Sequence, residues 1–185
     1  MMKLKYLVYV LILFTLLSTR GSAQISFLGG GVEAGLGSFS SAAPSVSGYM
    51  TAAYIDLQYY SLPKIYFKPQ IFYSRDIKIL LPEDRYGKYY PFVYGVSLSA
   101  MSADSLSSSL MLEYGGGLVL LRDQTFSDLD NYSPGAQLNA SLFLNVADYS
   151  SSRLQLGAAV SYGQTFGETT PSYLFYVIDC RLRMK

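Results

Sequence analysis

A period-two alternation of apolar residues with small or polar residues recurs eight times along this chain. Side chains of a β-strand point to opposite faces in turn, so each alternating segment predicts a strand with one apolar face. In the stretch LMLEYGGGLVLL, Leu112 and Tyr114 fall on one face and Glu113 on the other. Each segment is close to the ~10 residues that a tilted membrane strand needs. The segments are residues 28–37, 46–60, 64–74, 90–101, 110–121, 136–146, 153–163 and 173–184.

The N-terminal residues predict a targeting segment that takes no part in the fold. MMKLK gives a basic start, residues 6–18 are apolar, and Gly21, Ser22 and Ala23 suit a cleavage site. We therefore expect a secretory signal peptide over residues 1–23 and one barrel domain over residues 24–185. The apolar run is shorter than the ~20 residues of a membrane-spanning helix, and no run of ~18 apolar residues follows it.

Composition indicates a barrel in a membrane. Half of the residues are apolar and 15% are charged, and the chain has 18 Tyr, 10 Phe and no Trp. An exported apolar chain without a helical span satisfies its backbone in lipid only as a closed barrel. We predict an all-β fold, an eight-stranded antiparallel up-and-down transmembrane β-barrel. Without the three basic residues of the leader, 14 − 3 = 11 basic residues face 13 acidic ones, so nucleic acid is not an expected partner.

The connections between the alternating segments support the same topology. Short connections (SLP, SADSLS and ADYSSS) alternate in order with longer ones. This pattern is typical of outer-membrane barrels with both termini and the tight turns in the periplasm and long loops outside. We therefore expect the cell outer membrane as the location and its lipid as the first partner.

A soluble ligand-binding barrel of the lipocalin type has the same period and stays as an alternative. The polar face here is mostly Gly, Ser, Ala, Asn and Gln, whereas a solvated face usually carries many Lys, Glu and Asp. Small residues suit the narrow interior of an eight-stranded barrel. Tyr and Phe near the ends of the apolar rows suit the interfacial girdles of a membrane barrel.

Across residues 25–185 the chain resembles the small eight-stranded outer-membrane barrels of the OmpA and OmpX type. The end of the leader, Ser22-Ala23-Gln24, and the strands rich in Tyr and Gly resemble the small barrel proteins of Bacteroidota. The resemblance is one of architecture and carries no specific activity. It implies a Gram-negative outer-membrane protein.

Candidate catalytic chemistry is sparse. The chain has no His and one Cys, so Ser-His-Asp chemistry, a His base and a structural zinc site are all disfavoured. We predict that the chain is not an enzyme and needs no cofactor or metal. Asp123, Asp128 and Asp130 offer oxygen ligands for Ca²⁺, but their spacing does not match an EF-hand, and a solvated loop is the simpler interpretation.

Charged residues on the polar face predict a network inside the barrel. A buried charge is tolerated when it is paired and hydrogen-bonded, so we expect Arg181 and Lys68 to neutralise Glu33 and Asp56. Two interpretations stay open: a network that fills and fixes the core, and a narrow gated channel. The predicted network comprises Glu33, Asp56, Lys68, Glu113, Arg153, Asp179 and Arg181.

The longest connection, residues 75–90, is the best candidate for contact with another protein. It combines apolar and Tyr residues, which are enriched where proteins bind each other. We predict a structural or accessory subunit that presents external loops to other outer-membrane or surface proteins. The predicted contact residues are Ile77, Ile79, Leu80, Leu81, Tyr86 and Tyr89.

Overall fold

The computed structural model describes residues 25–40, 45–80, 91–123, 131–166 and 171–185. These residues form eight antiparallel strands that close into one barrel in chain order. The predicted architecture is therefore confirmed, whereas the predicted leader (1–23) lies outside the described residues. The strands are β1 Ile25–Phe39, β2 Val46–Tyr59, β3 Ile65–Asp76, β4 Phe92–Ser105, β5 Leu110–Asp123, β6 Asn131–Asp148, β7 Ser152–Thr165 and β8 Ser172–Met184.

Closure joins the first strand to the last. β1 pairs with β8 from Gly29 opposite Arg183 to Phe39 opposite Tyr173, so this wall has the same antiparallel ladder as the others. The three short connections lie at the end where β1 begins and β8 ends, and the longer ones lie at the opposite end. We call these the short-turn end and the long-connection end. The predicted alternation of short and long connections is confirmed.

Most strands extend beyond the predicted segments, with the largest extensions at the end of β4 and the start of β6. β4 continues to Ser105, which pairs with Met111, so the turn to β5 occupies only residues 106–109. β6 begins at Asn131 and runs through Pro134. Proline is usually confined to edges or bulges because it donates no ladder hydrogen bond. Here the carbonyl of Pro134 still accepts a bond from the Phe166 N–H (2.8 Å), and the ladder passes through it.

The two faces of the wall are as the alternation predicts. Outward side chains are apolar and exposed, including Val32 (58%), Leu118 (70%) and Ile178 (70%), whereas Glu33 and Glu113 on the inward rows are buried. A shift of one residue in the pairing of a strand would turn its apolar side chains inward and its polar ones outward, so the apolar rows define the register. No helix within the described ranges is long and apolar enough to cross a membrane.

The lumen contains two different fillings. Toward the long-connection end it is filled by apolar and aromatic side chains, and toward the short-turn end by charged and polar ones. β4 and β5 lie close together beside these side chains, since a Cβ atom added at Gly117 would lie 1.9 Å from the carbonyl oxygen of Leu98. The apolar cluster includes Phe39, Met50, Phe72, Val93, Val119, Leu121, Tyr173, Phe175 and Val177.

Candidate functional site

Glu113 on β5 is the centre of the charged half of the lumen. Its carboxylate is 2% exposed and accepts hydrogen bonds from both terminal nitrogens of Arg181, each at 2.7 Å. Arg183 Nη1 donates at 2.8 Å and the Tyr66 hydroxyl at 2.6 Å. A two-pronged arginine contact is among the stronger polar interactions in proteins because both bonds are charge-assisted. Four bonds therefore hold one carboxylate that would otherwise be costly to bury.

A second ion pair lies beside it, between β3 and β1. Lys68 Nζ donates to Glu33 Oε1 at 2.5 Å, and Gln70 Nε2 donates to the other Glu33 oxygen at 2.6 Å. Lys68 Nζ also lies 3.9 Å from Asp179 and 3.7 Å from the centroid of the Tyr54 ring. The Tyr54 hydroxyl lies 2.7 and 2.9 Å from the two Asp179 oxygens. The lysine is thus enclosed by two carboxylates and an aromatic face.

Arg181 on β8 has further contacts besides its bonds to Glu113. Its guanidinium carbon lies 3.6 Å from the Phe143 ring centroid, and its Nε donates to Gln155 at 2.7 Å. Nη1 lies 3.6 Å from Asp56, which is an ionic contact but too long for a hydrogen bond. Neither carboxylate oxygen of Asp56 has a hydrogen-bond partner among the described residues. Asp56 is therefore held by charge more than by hydrogen bonds.

A neutral network continues the filling above the charges. Ser99 accepts bonds from Gln137 (2.6 Å) and Asn139 (3.1 Å), and Ser161 donates to Asn139 (2.8 Å). The Tyr173 hydroxyl donates to Gln137 (2.6 Å) and links this network to the aromatic filling. Side chains of β4, β6, β7 and β8 are therefore bonded to one another above the charges.

Most of the predicted network residues come together, with one exception. Six of the seven are buried and form two groups, Glu33 with Lys68 and Asp179, and Glu113 with Arg181 and Asp56. Arg181 binds chiefly to Glu113 instead of Glu33 or Asp56. Arg153 was expected inside, but its side chain is 46% exposed and its Nε donates to Asp148 (2.8 Å). It is the second residue of β7, so its long side chain passes over the rim instead of entering the lumen.

Several members of the site were missed from the sequence. Tyr54 lies two residues before Asp56, and Tyr66 two residues before Lys68, so each tyrosine lies on the same inward face of its strand as the charged residue. This spacing is the sequence signal for their position, whereas tyrosines were expected in the outer girdles. Gln155 and Arg183 also bond within the site. We call the set the charged plug: Glu33, Tyr54, Asp56, Tyr66, Lys68, Glu113, Asp179, Arg181 and Arg183.

The predicted contact loop is described only in part. Ile77 and Ile79 are half-buried in a short 3-10 helix, Ile77–Leu80, that directly follows β3. Asp76 begins this turn because its carboxylate accepts the Lys78 N–H at 2.9 Å. Leu81, Tyr86 and Tyr89 lie outside the described residues. Within the described ranges, no cluster of three or more Cys, Asp or Glu residues is arranged to hold a metal ion.

Comparison with solved structures agrees with this geometry. The crystal structure of Neisserial surface protein A superposes with a TM-score of 0.58 at 15% identity, over 88% of this chain and 99% of that one. The fold is that of a small outer-membrane β-barrel. Ail, the attachment invasion locus protein of Yersinia pestis, matches with a TM-score of 0.42 at 9% identity over 84% of this chain and 99% of that one. No protein-family model and no curated protein sequence matches the chain.

Proposed function

We propose that this chain is a small non-enzymatic barrel of the outer membrane, a structural or accessory subunit that presents its long connections to other proteins. One observation carries the proposal: an apolar outer wall encloses a lumen that is closed by buried ion pairs and packed apolar side chains. The leader is removed on export, both termini face the periplasm, and the long-connection end faces outward.

The outer wall supports a membrane location. Val32, Leu118, Leu138 and Ile178 are 58–70% exposed, and they belong to rows that are apolar around the whole barrel. A soluble protein rarely exposes so continuous an apolar surface. A soluble ligand carrier needs the opposite arrangement, with apolar residues inside around its ligand. The buried charges of the plug therefore argue against the lipocalin-type alternative.

The plug supports a structural role over a channel. Arg181 and Glu113 are three strands apart and meet across the lumen with at most 2% of each side chain exposed. An ion path would have to separate charges that three hydrogen bonds from Arg181 and Arg183 to Glu113 hold together, and eight strands leave little room for a second path. In planar bilayers we expect no steady conductance from the purified protein. Reproducible steps that vanish in Glu113→Ala would favour the gated channel instead.

The membrane location is tested by fractionation and by gel mobility. The native chain should enter the outer-membrane fraction and run faster on gels before boiling than after, because a closed barrel resists detergent unfolding. Recovery of the protein in the soluble fraction would contradict the proposal.

The accessory role is tested at the long connection between β3 and β4. We expect deletion of residues 77–86 to remove specific partners from a pull-down of the tagged protein in native membranes. Leu106→Ser, in a short turn at the opposite end, is the matched control and should retain them. An unchanged partner set in the deletion variant would exclude this loop as the binding surface.

A further inference from the structure

A groove of about 560 Å³ lies on the outward face of the barrel, in its long-connection half. One row of its lining runs across four strands, since Tyr73 pairs with Tyr94, Tyr94 with Arg122, and Arg122 with Tyr132. All four side chains have the parity of the apolar outer face. The Arg122 guanidinium carbon lies 5.8 Å from the Tyr132 ring centroid, so an arginine is set into a belt of tyrosines.

The row one rung deeper is apolar. Ile71 pairs with Val96, and Val96 pairs with Leu120, which places three aliphatic side chains directly below the tyrosine row. They are 63%, 50% and 39% exposed. Successive residues on one face of a strand are about 7 Å apart, so this strip lies about that far below Arg122 and the tyrosine row, nearer the centre of the wall. We call the two rows together the Arg122 groove.

A second arginine lies on the outward face beside the groove. Arg75 lies one rung above Tyr73 on the same face, opposite Phe92, with its guanidinium carbon 5.7 Å from the Phe92 ring centroid. Among the described residues, the outward rows of β3, β4 and β5 in this half of the barrel carry these two arginines and no acid. An anionic group above an apolar strip is the complement of such a surface.

We propose that the Arg122 groove binds a membrane lipid whose headgroup carries an anionic phosphate. The phosphate is bound at Arg122, and an acyl chain lies along Ile71, Val96 and Leu120. Arginine recognises phosphate with two parallel hydrogen bonds, and tyrosines are typical of the interfacial depth at which headgroups lie. Basic pockets at that depth bind lipid headgroups in other membrane proteins. This inference rests on the proposed membrane location.

The test is native mass spectrometry of the full barrel in a neutral detergent, titrated with dioleoyl phosphatidic acid. Dioleoylglycerol, which has the same chains without the phosphate, is the lipid control. We expect a one-to-one phosphatidic acid adduct that Arg122→Gln weakens about tenfold, because a hydrogen-bonded charge contact is lost. Arg153→Gln, which removes an exposed arginine at the opposite end, should bind as the native chain does.

Equal binding of the two lipids, or native affinity in Arg122→Gln, would overturn the lipid site. The native chain gives a second measurement that needs no variant: raising salt from about 0.1 to 1 M should weaken binding of phosphatidic acid and spare that of dioleoylglycerol. Salt-independent binding would also refute the inference. Heat-modifiable gel mobility separates the two proposals, since a folded barrel without lipid preference contradicts only the groove.

Discussion

Replacing Glu113 by Gln tests whether the charged plug stabilises the barrel. Glutamine keeps the size of the side chain but removes its charge, so Arg181 and Arg183 lose the carboxylate that accepts three of their hydrogen bonds. Glu113 is 2% exposed, so water cannot take its place without opening the lumen. Removing one partner of a buried ion pair typically costs about 3–5 kcal/mol. We expect a loss of this size in the free energy of unfolding.

The assay is reversible urea unfolding of the barrel in lipid vesicles, followed by circular dichroism. With a slope of about 1–3 kcal/mol per molar urea, the midpoint should fall by more than about 1 M. Asp148→Asn is the control, because Asp148 bonds to Arg153 at the solvent-exposed rim with 56% of its side chain accessible. Exposed ion pairs contribute little to stability, so its midpoint should hardly move.

A double-mutant cycle identifies the physical cause of the loss. If Glu113→Gln acts by leaving the buried guanidinium of Arg181 without a counter-charge, adding Arg181→Met removes that charge. The double variant should then lose less free energy of unfolding than the two single variants lose in sum. Equal midpoints for Glu113→Gln and Asp148→Asn would refute the reasoning, because they would mean that water already screens the charges inside.

Three further substitutions test the register of β5. Leu118→Arg places a charge on the lipid face near mid-wall and should lower the free energy of unfolding in vesicles by about 2–4 kcal/mol. Leu106→Arg, in a short turn, is the control and should leave the urea midpoint unchanged. Similar midpoints for the two variants would contradict the lipid-facing assignment of Leu118. Gly117→Ala should cost about 1–3 kcal/mol, because its Cβ would lie 1.9 Å from the Leu98 carbonyl oxygen. Gly116→Ala should cost less, since its nearest neighbours are at 3.0 Å; the reverse order would contradict the inward placement of Gly117.

The faces of the strands could be predicted from the sequence because burial alternates with a period of two. Glu113 illustrates this: in the other register it would lie in lipid, so the apolar row around it leaves one choice. The same reasoning placed Asp179 and Arg181 inside, and the structure buries both completely or nearly so (0% and 2%).

Which base meets which acid could not be predicted from the sequence. Pairing inside a barrel depends on how the strands stagger when the sheet closes, and this brings Arg181 to Glu113 across three strands. Residues near a strand end are also ambiguous, because a long side chain there can leave the lumen, as Arg153 does. Tyr54 and Tyr66 could not be assigned to the site from the sequence, because an aromatic ring suits either face of a strand. Their hydroxyl partners, Asp179 and Glu113, lie on strands that are distant in the sequence.

The position of Arg181 and Arg183 on β8 has a consequence for how the barrel is assembled. The strands before β8 carry the acids Glu33, Asp56 and Glu113, with Lys68 as the one buried cation of the charged plug on those strands. An open sheet of seven strands therefore holds Asp56 and Glu113 without their arginine. Arrival of the eighth strand closes the hydrogen-bond ladder and brings both arginines to Glu113 in the same step, so we expect partly closed intermediates to be short-lived.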